Sequence, residues 1–113
     1  MVHPAETVGI RVEVDGVALA YSADTGPGGD FEGLASGAHT LICEATFQDS
    51  DDEWEGHMSA TQAGQIAQQF GVEHLVLTHL PANRNLDTSL EEASRAFHGV
   101  DVKLAWDGMR IEL

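Results

Sequence analysis

The sequence predicts one α/β domain built on a mixed sheet. Three observations carry that prediction. Short apolar runs bounded by turn residues recur along the chain, as strands do. Two segments between such runs carry apolar residues at helical spacing. An Asp-Gly dipeptide, the two-residue signal of a tight hairpin, stands near each end, at Asp15-Gly16 and Asp107-Gly108.

The elements follow in order. Val8, Ile10, Val12 and Val14 alternate with Gly9, Arg11 and Glu13, which reads as a strand with one buried face. After Asp15-Gly16, Val17 to Tyr21 is the return strand, apolar on both faces and so interior to the sheet. Gly26-Pro-Gly-Gly29 breaks the chain, and Asp30 to Ala35 reads as a short helix closed by Gly37. Thr40 to Cys43 is a short buried strand. Gln48 to Glu55 is an acidic run, read as a solvated loop.

Ser59 and Gln62 form a capping box, and Ala63, Ile66, Ala67 and Phe70 line one helical face ending at Gly71. Val72 to Thr78 is a strand buried on both sides at Leu75 to Leu77. Strand, helix and strand in this order form a parallel unit. Thr88 and Glu91 suggest a second capping box, followed by Leu90, Ala93 and Phe97 on one face. Val100 to Trp106 and Met109 to Leu113 alternate around Asp107-Gly108, a C-terminal hairpin.

The length of 113 residues fits one domain, residues 1–113. The apolar fraction of 42% and the charged fraction of 21% are those of an ordinary globular chain. No apolar run is long enough to span a membrane. The N-terminus lacks the pattern of a secretory signal, and the single cysteine, Cys43, cannot form an internal disulfide. Both fit a cytoplasmic location. Nineteen acidic residues against five basic ones give a net charge of -14, a field that repels nucleic acid and anionic membrane.

Asp24, Glu44 and His79 stand at or just past the carboxyl ends of three expected strands, where open α/β sheets bind ligands. His57 precedes a helix start in the loop after the Glu44 strand. Asp and His suit zinc or manganese. A Glu beside a His can fix the imidazole tautomer and support proton transfer. Each residue also has an ordinary reading. Asp24 is equally suited to capping its turn, and Glu44, His57 and His79 to surface positions. His3, His39, His74 and His98 are read as structural or exposed. One Asp and one His are too few ligands for a tight zinc site.

Four ordered motifs carry a resemblance: Tyr21-Ser-Ala-Asp-Thr-Gly-Pro, Cys43-Glu-Ala-Thr-Phe, Gly56-His-Met-Ser-Ala-x-x-Ala-Gly and Leu77-Thr-His-Leu. Together they resemble the C-terminal half of the metallo-β-lactamase-fold hydrolases, in the ribonuclease Z-like branch. The resemblance implies half of a four-layer αββα sandwich, with about six to seven strands, two main helices and one short helix. It implies Asp24 as a bridging ligand of two divalent ions, zinc or manganese, and His79 as a ligand of the second. It implies Glu44 and His57 as a pair assisting phosphodiester cleavage, with His57 the proton donor.

Two departures accompany it. Ala23 stands where the family usually has Gly, and the family's His-x-His-x-Asp-His segment is absent from this chain. The sequence therefore looks like a C-terminal fragment, inactive alone, of a hydrolase acting on a phosphodiester or related ester bond. The rival reading is a binding or assembly domain that keeps the fold without the metals. The charge favours a small anionic ester over RNA. A half-sandwich exposes an apolar sheet face, so a homodimer, a domain-swapped oligomer or association with a missing N-terminal half is expected, with no membrane partner.

Overall fold

The computed structural model describes residues 9–22, 31–48, 58–80, 85–105 and 109. In chain order these form β1 (Ile10–Val14), β2 (Val17–Tyr21), α1 (Glu32–Ala35), β3 (Thr40–Glu44), α2 (Ala60–Gln69), β4 (His74–Thr78), α3 (Leu86–Ala96) and β5 (Asp101–Leu104). The strands make one five-stranded sheet in the order β1-β2-β3-β4-β5. β1 and β2 are antiparallel, whereas β2, β3, β4 and β5 run parallel to one another. The expected mixed sheet, with two main helices and one short one, is present. The expected C-terminal hairpin lies mostly outside the described residues, so the described sheet has five strands rather than six or seven.

Local chemistry explains the elements. Asp15 and Gly16 both have positive φ, +52° and +80°, as the predicted tight turn requires, and they set Val14 opposite Val17. Ser59 caps α2 in the predicted box: its hydroxyl accepts from the Gln62 N–H at 3.1 Å, and the Gln62 side chain accepts from the Ser59 N–H at 2.8 Å. Gly71, at φ +71°, follows the C-cap Phe70. The second predicted box is corrected. α3 starts at Leu86, and its cap is Asn85, whose side chain accepts from the Asp87 N–H at 2.9 Å. Thr88 instead lies within the first turn, and Glu91 pairs with Arg95 one turn on.

One face of the sheet carries the core. Ala20, Leu41, Leu75 and Val102 stand in register across four strands, and Cys43, Leu77 and Leu104 form the next row. These rows pack with Ala63, Ile66 and Ala67 of α2, and with Ala93 and Phe97 at the end of α3. Leu41, Leu75 and Leu77 are fully buried, and each contributes about 1.5–3 kcal/mol of burial free energy.

The expected burial of β1 is also corrected. Its apolar row is exposed: Ile10 at 54%, Val12 at 48% and Val14 at 56%. The polar row faces the helices instead, where Arg11 donates to the carbonyls of Leu34 at 2.8 Å and Ser36 at 3.1 Å. Alternation therefore turns Ile10, Val12 and Val14, with Tyr21 of β2, to the opposite side of the sheet.

Candidate active site

β3 and β4 end side by side, with Glu44 registered against Thr78. The ladder runs one step further, the Ala45 N–H donating to the Thr78 carbonyl at 2.9 Å. His79 follows with φ +52°, a left-handed conformation uncommon for a residue with a side chain. This bend leaves its imidazole about half exposed, with Nδ1 4.0 Å from Glu44 Oε2. The Glu44 side chain is fully buried.

Burial of a carboxylate is costly without compensating hydrogen bonds. The Thr46 hydroxyl supplies one, donating to Glu44 Oε2 at 2.6 Å, the short distance of a charge-assisted bond. The same hydroxyl lies 3.1 Å from the His79 carbonyl oxygen. On the other side, the Glu44 N–H donates to Ser22 Oγ at 3.3 Å. Ser22 is itself buried, its N–H bonded to the Ile42 carbonyl at 2.9 Å.

The neighbouring Cys43 thiol is pushed up to about 12, chiefly by burial; the Ser22 hydrogen bond opposes this and the Glu44 charge adds to it. Cys43 is thus held as a thiol, donating to Met58 Sδ at 3.6 Å, and not as a thiolate ligand.

Beyond β3 the chain is fastened twice. The Phe47 N–H donates to the Met58 carbonyl at 3.2 Å, and the Ala60 N–H donates to the Phe47 carbonyl at 3.0 Å. This short parallel pairing ties the start of α2 to the exit of β3. Gln48 is buried, not solvated as the acidic run suggested. Its amide donates to the Asn85 carbonyl at 2.8 Å and to Ser89 Oγ at 3.2 Å, joining this segment to the first turn of α3.

Of the four predicted site residues, Glu44 and His79 come together. Asp24 and His57 lie outside the described residues. Sequence reasoning gave Thr46 and Ser22 no role; both stood within quoted motifs, and a hydroxyl two residues beyond Glu44 was the available signal. Among the described residues, no group of three or more His, Cys, Asp or Glu could hold a metal ion. The donor chemistry nonetheless fits a zinc-type ion at His79. His79 offers an imidazole nitrogen donor beside the Glu44 carboxylate, the pairing that metal-binding histidines favour.

A second cluster sits at the opposite ends of the same strands. His74 Nδ1 lies 2.8 Å from Asp101 Oδ1, and the His39 and His74 rings meet at a 35° tilt with centroids 4.6 Å apart.

Comparison with known proteins points one way. The family profile "Beta-lactamase superfamily domain" matches residues 1–80. The chain is 33% identical over 108 residues to a probable metallo-hydrolase of Bacillus subtilis, YhfI, covering 95% of this chain and 44% of that protein. It is 34% identical over 117 residues to ribonuclease Z of Methanothermobacter thermautotrophicus, covering all of this chain and 37% of that one.

The crystal structure of YhfI, a metallo-β-lactamase-fold protein, superposes with a TM-score of 0.82 at 32% identity, over 89% of this chain and 42% of that one. The short form of human tRNase Z superposes with a TM-score of 0.65 at 27% identity, over 92% of this chain and 37% of that one. The chain thus spans less than half the length of the curated relatives it matches.

Proposed function

The chain belongs to the metallo-β-lactamase superfamily, in its ribonuclease Z-like branch, and on that premise we propose that it supplies one side of a metal-dependent site for phosphodiester or related ester hydrolysis. The Glu44–His79 contact carries the reading: a fully buried carboxylate within 4.0 Å of an imidazole at a strand mouth. Metal-binding histidines characteristically turn their second ring nitrogen to a carboxylate or a carbonyl, and His79 Nδ1 faces Glu44 Oε2 at just beyond hydrogen-bond distance.

Asp24 and His79 would hold the metal. When bound, two zinc or manganese ions would polarise the phosphate and acidify the attacking water. This chain's own groups would orient and move protons. Glu44 would fix the tautomer of its histidine partners, and His57 would give its proton to the leaving oxygen as the phosphorus–oxygen bond breaks. A net charge of -14 disfavours a polyanion, so a small phosphodiester or ester is the proposed substrate class. The domain, residues 1–113, would act with ligands supplied from outside it and hydrolyse little alone.

The test uses the full-length protein carrying this chain, purified without chelators. About two zinc or manganese ions per chain, by elemental analysis, and hydrolysis of bis(p-nitrophenyl) phosphate are expected. Absence of both would sink the reading. One observation favours the rival, a non-catalytic assembly domain: the exposed row Ile10, Val12, Val14 and Tyr21 offers a surface to another half or a second copy. Association without metal is what that rival predicts.

A further inference from the structure

Thr46 touches both members of the Glu44–His79 pair. Its hydroxyl lies 2.6 Å from Glu44 Oε2 and 3.1 Å from the His79 carbonyl oxygen. A hydroxyl has one hydrogen to donate, so the two acceptors share it, the carboxylate holding the shorter bond. The contact comes where the β3–β4 ladder stops, just beyond the Ala45 to Thr78 hydrogen bond. It also comes at the residue whose backbone departs from the strand, His79 at φ +52°. That conformation is disfavoured for a residue with a Cβ, so something must hold it. Threonine suits the task. Its β-branched side chain is stiff at χ1, so an oxygen anchored at one end constrains what it touches at the other.

We propose that Thr46 is a positioning residue: one hydroxyl ties the Glu44 carboxylate to the backbone of His79 and sets the carboxylate and the imidazole relative to each other. Without it, the surrounding ladder keeps its anchors: the Glu44 N–H on Ser22 Oγ, and the Ala45 N–H on the carbonyl of Thr78, the residue before His79. What is lost is the hydrogen-bonded bridge that fixes the relative geometry of Glu44 and His79, leaving only the 4.0 Å approach of Nδ1 to Oε2. A strand-end cap acting only on stability would leave the His79 ring where it is. A positioning residue would not.

The inference rests on the reading of this rim as a hydrolytic site, and the experiment separates the two. Thr46→Val keeps the branched shape and removes the hydroxyl, and Thr46→Ser restores it. In metal-free protein, the ring ¹⁵N resonances of His79 are expected to shift in Thr46→Val and to return to the wild-type positions in Thr46→Ser. In the full-length protein, zinc affinity and kcat for bis(p-nitrophenyl) phosphate should both fall by about tenfold or more in Thr46→Val, with KM within about twofold.

His79 ring signals and kcat that are unchanged in Thr46→Val overturn the inference. If Thr46→Val does not fold, Thr46→Ala carries the same comparison. Failure of the hydrolytic reading shows separately, as a wild-type protein that binds neither zinc nor manganese and does not hydrolyse the diester. The His79 spectrum of the metal-free protein decides the role of Thr46 in either case.

Discussion

The parallel strands bring a carboxylate and an imidazole together at both of their ends, and the two pairs differ in kind. At the carboxyl end, Glu44 is fully buried and His79 Nδ1 stands 4.0 Å away. At the amino end, His74 and Asp101 meet at 2.8 Å, with side chains 28% and 34% exposed. Distance alone would rank the second pair first. Cost ranks them the other way. A pair that water still reaches on both members forms at little expense and yields little. A buried carboxylate and a left-handed histidine each oppose folding. Structure kept against stability is the better sign of a working site, which is why the looser contact marks the candidate active site.

The largest effect should come from Glu44→Gln in the full-length protein. The amide keeps the shape and can still accept from Thr46, but it removes the charge. Hydrolysis should fall by about 10²–10⁴-fold, while the thermal midpoint holds or rises, because a costly buried charge is gone. A variant that loses stability but keeps activity would place Glu44 among scaffold residues and break the contrast.

Gln48→Ala should be next. It withdraws a donor from the Asn85 carbonyl and from buried Ser89, at a cost of about 1–3 kcal/mol in denaturant unfolding. Amide exchange should quicken around residues 46–48 and 85–89. It should stay slow at His74, whose N–H bonds to the His39 carbonyl at the opposite end. Equal loosening at both ends would show that the two rims are not independently fastened.

Cys43 lies beside Glu44 on the same strand and gives a pH test. Its thiol is raised from 9.0 to about 12 in the folded chain, chiefly by burial. Between those values the unfolded chain has lost a proton that the folded chain keeps, so unfolding is favoured as pH rises. Stability should be insensitive to this group below pH 9 and fall above it, by up to about 1.4 kcal/mol per pH unit. Cys43→Ala should flatten the fall relative to wild type when both are followed by chemical denaturation. Identical slopes in the two proteins would mean that water reaches the interior at this rim.

Much of the fold was legible because its signals are local. Asp15-Gly16 specifies its turn through backbone preference, and the Ser59–Gln62 box specifies the start of α2 within one helical turn. Helical and strand periods show which residues share a face, but not which face is covered. That is why the alternation of Ile10, Val12 and Val14 was read as burial when their side lies open. The cap of α3 was misread because Asn85 and Thr88 are both good N-caps, and the choice between them is tied to Gln48 far away in sequence. In the site, Glu44 and His79 were visible as polar ends of apolar runs. Thr46 was not, since its second acceptor lies 33 residues on, and no local pattern reports a contact of that range.

The smallest effect should be at the amino-end rim. Asp101→Asn keeps an oxygen for His74 and removes the charge that also draws Lys103, whose Nζ lies 3.7 Å from Asp101 Oδ2. Both partners are partly exposed, so water and salt already screen them, and the change should cost less than about 1 kcal/mol. The difference should shrink further in about 1 M salt, where the screening length is near 3 Å. Hydrolysis by the full-length protein should stay within about twofold of wild type, because neither His74 nor Asp101 is buried at a cost that a reaction would repay. The measurement is a pair of denaturation curves at low and high salt beside one rate assay. A tenfold loss of rate at unchanged stability would reverse the ranking of the two rims and make the tight, partly exposed pair, not the looser one built on a buried carboxylate, the part of the sheet that function depends on.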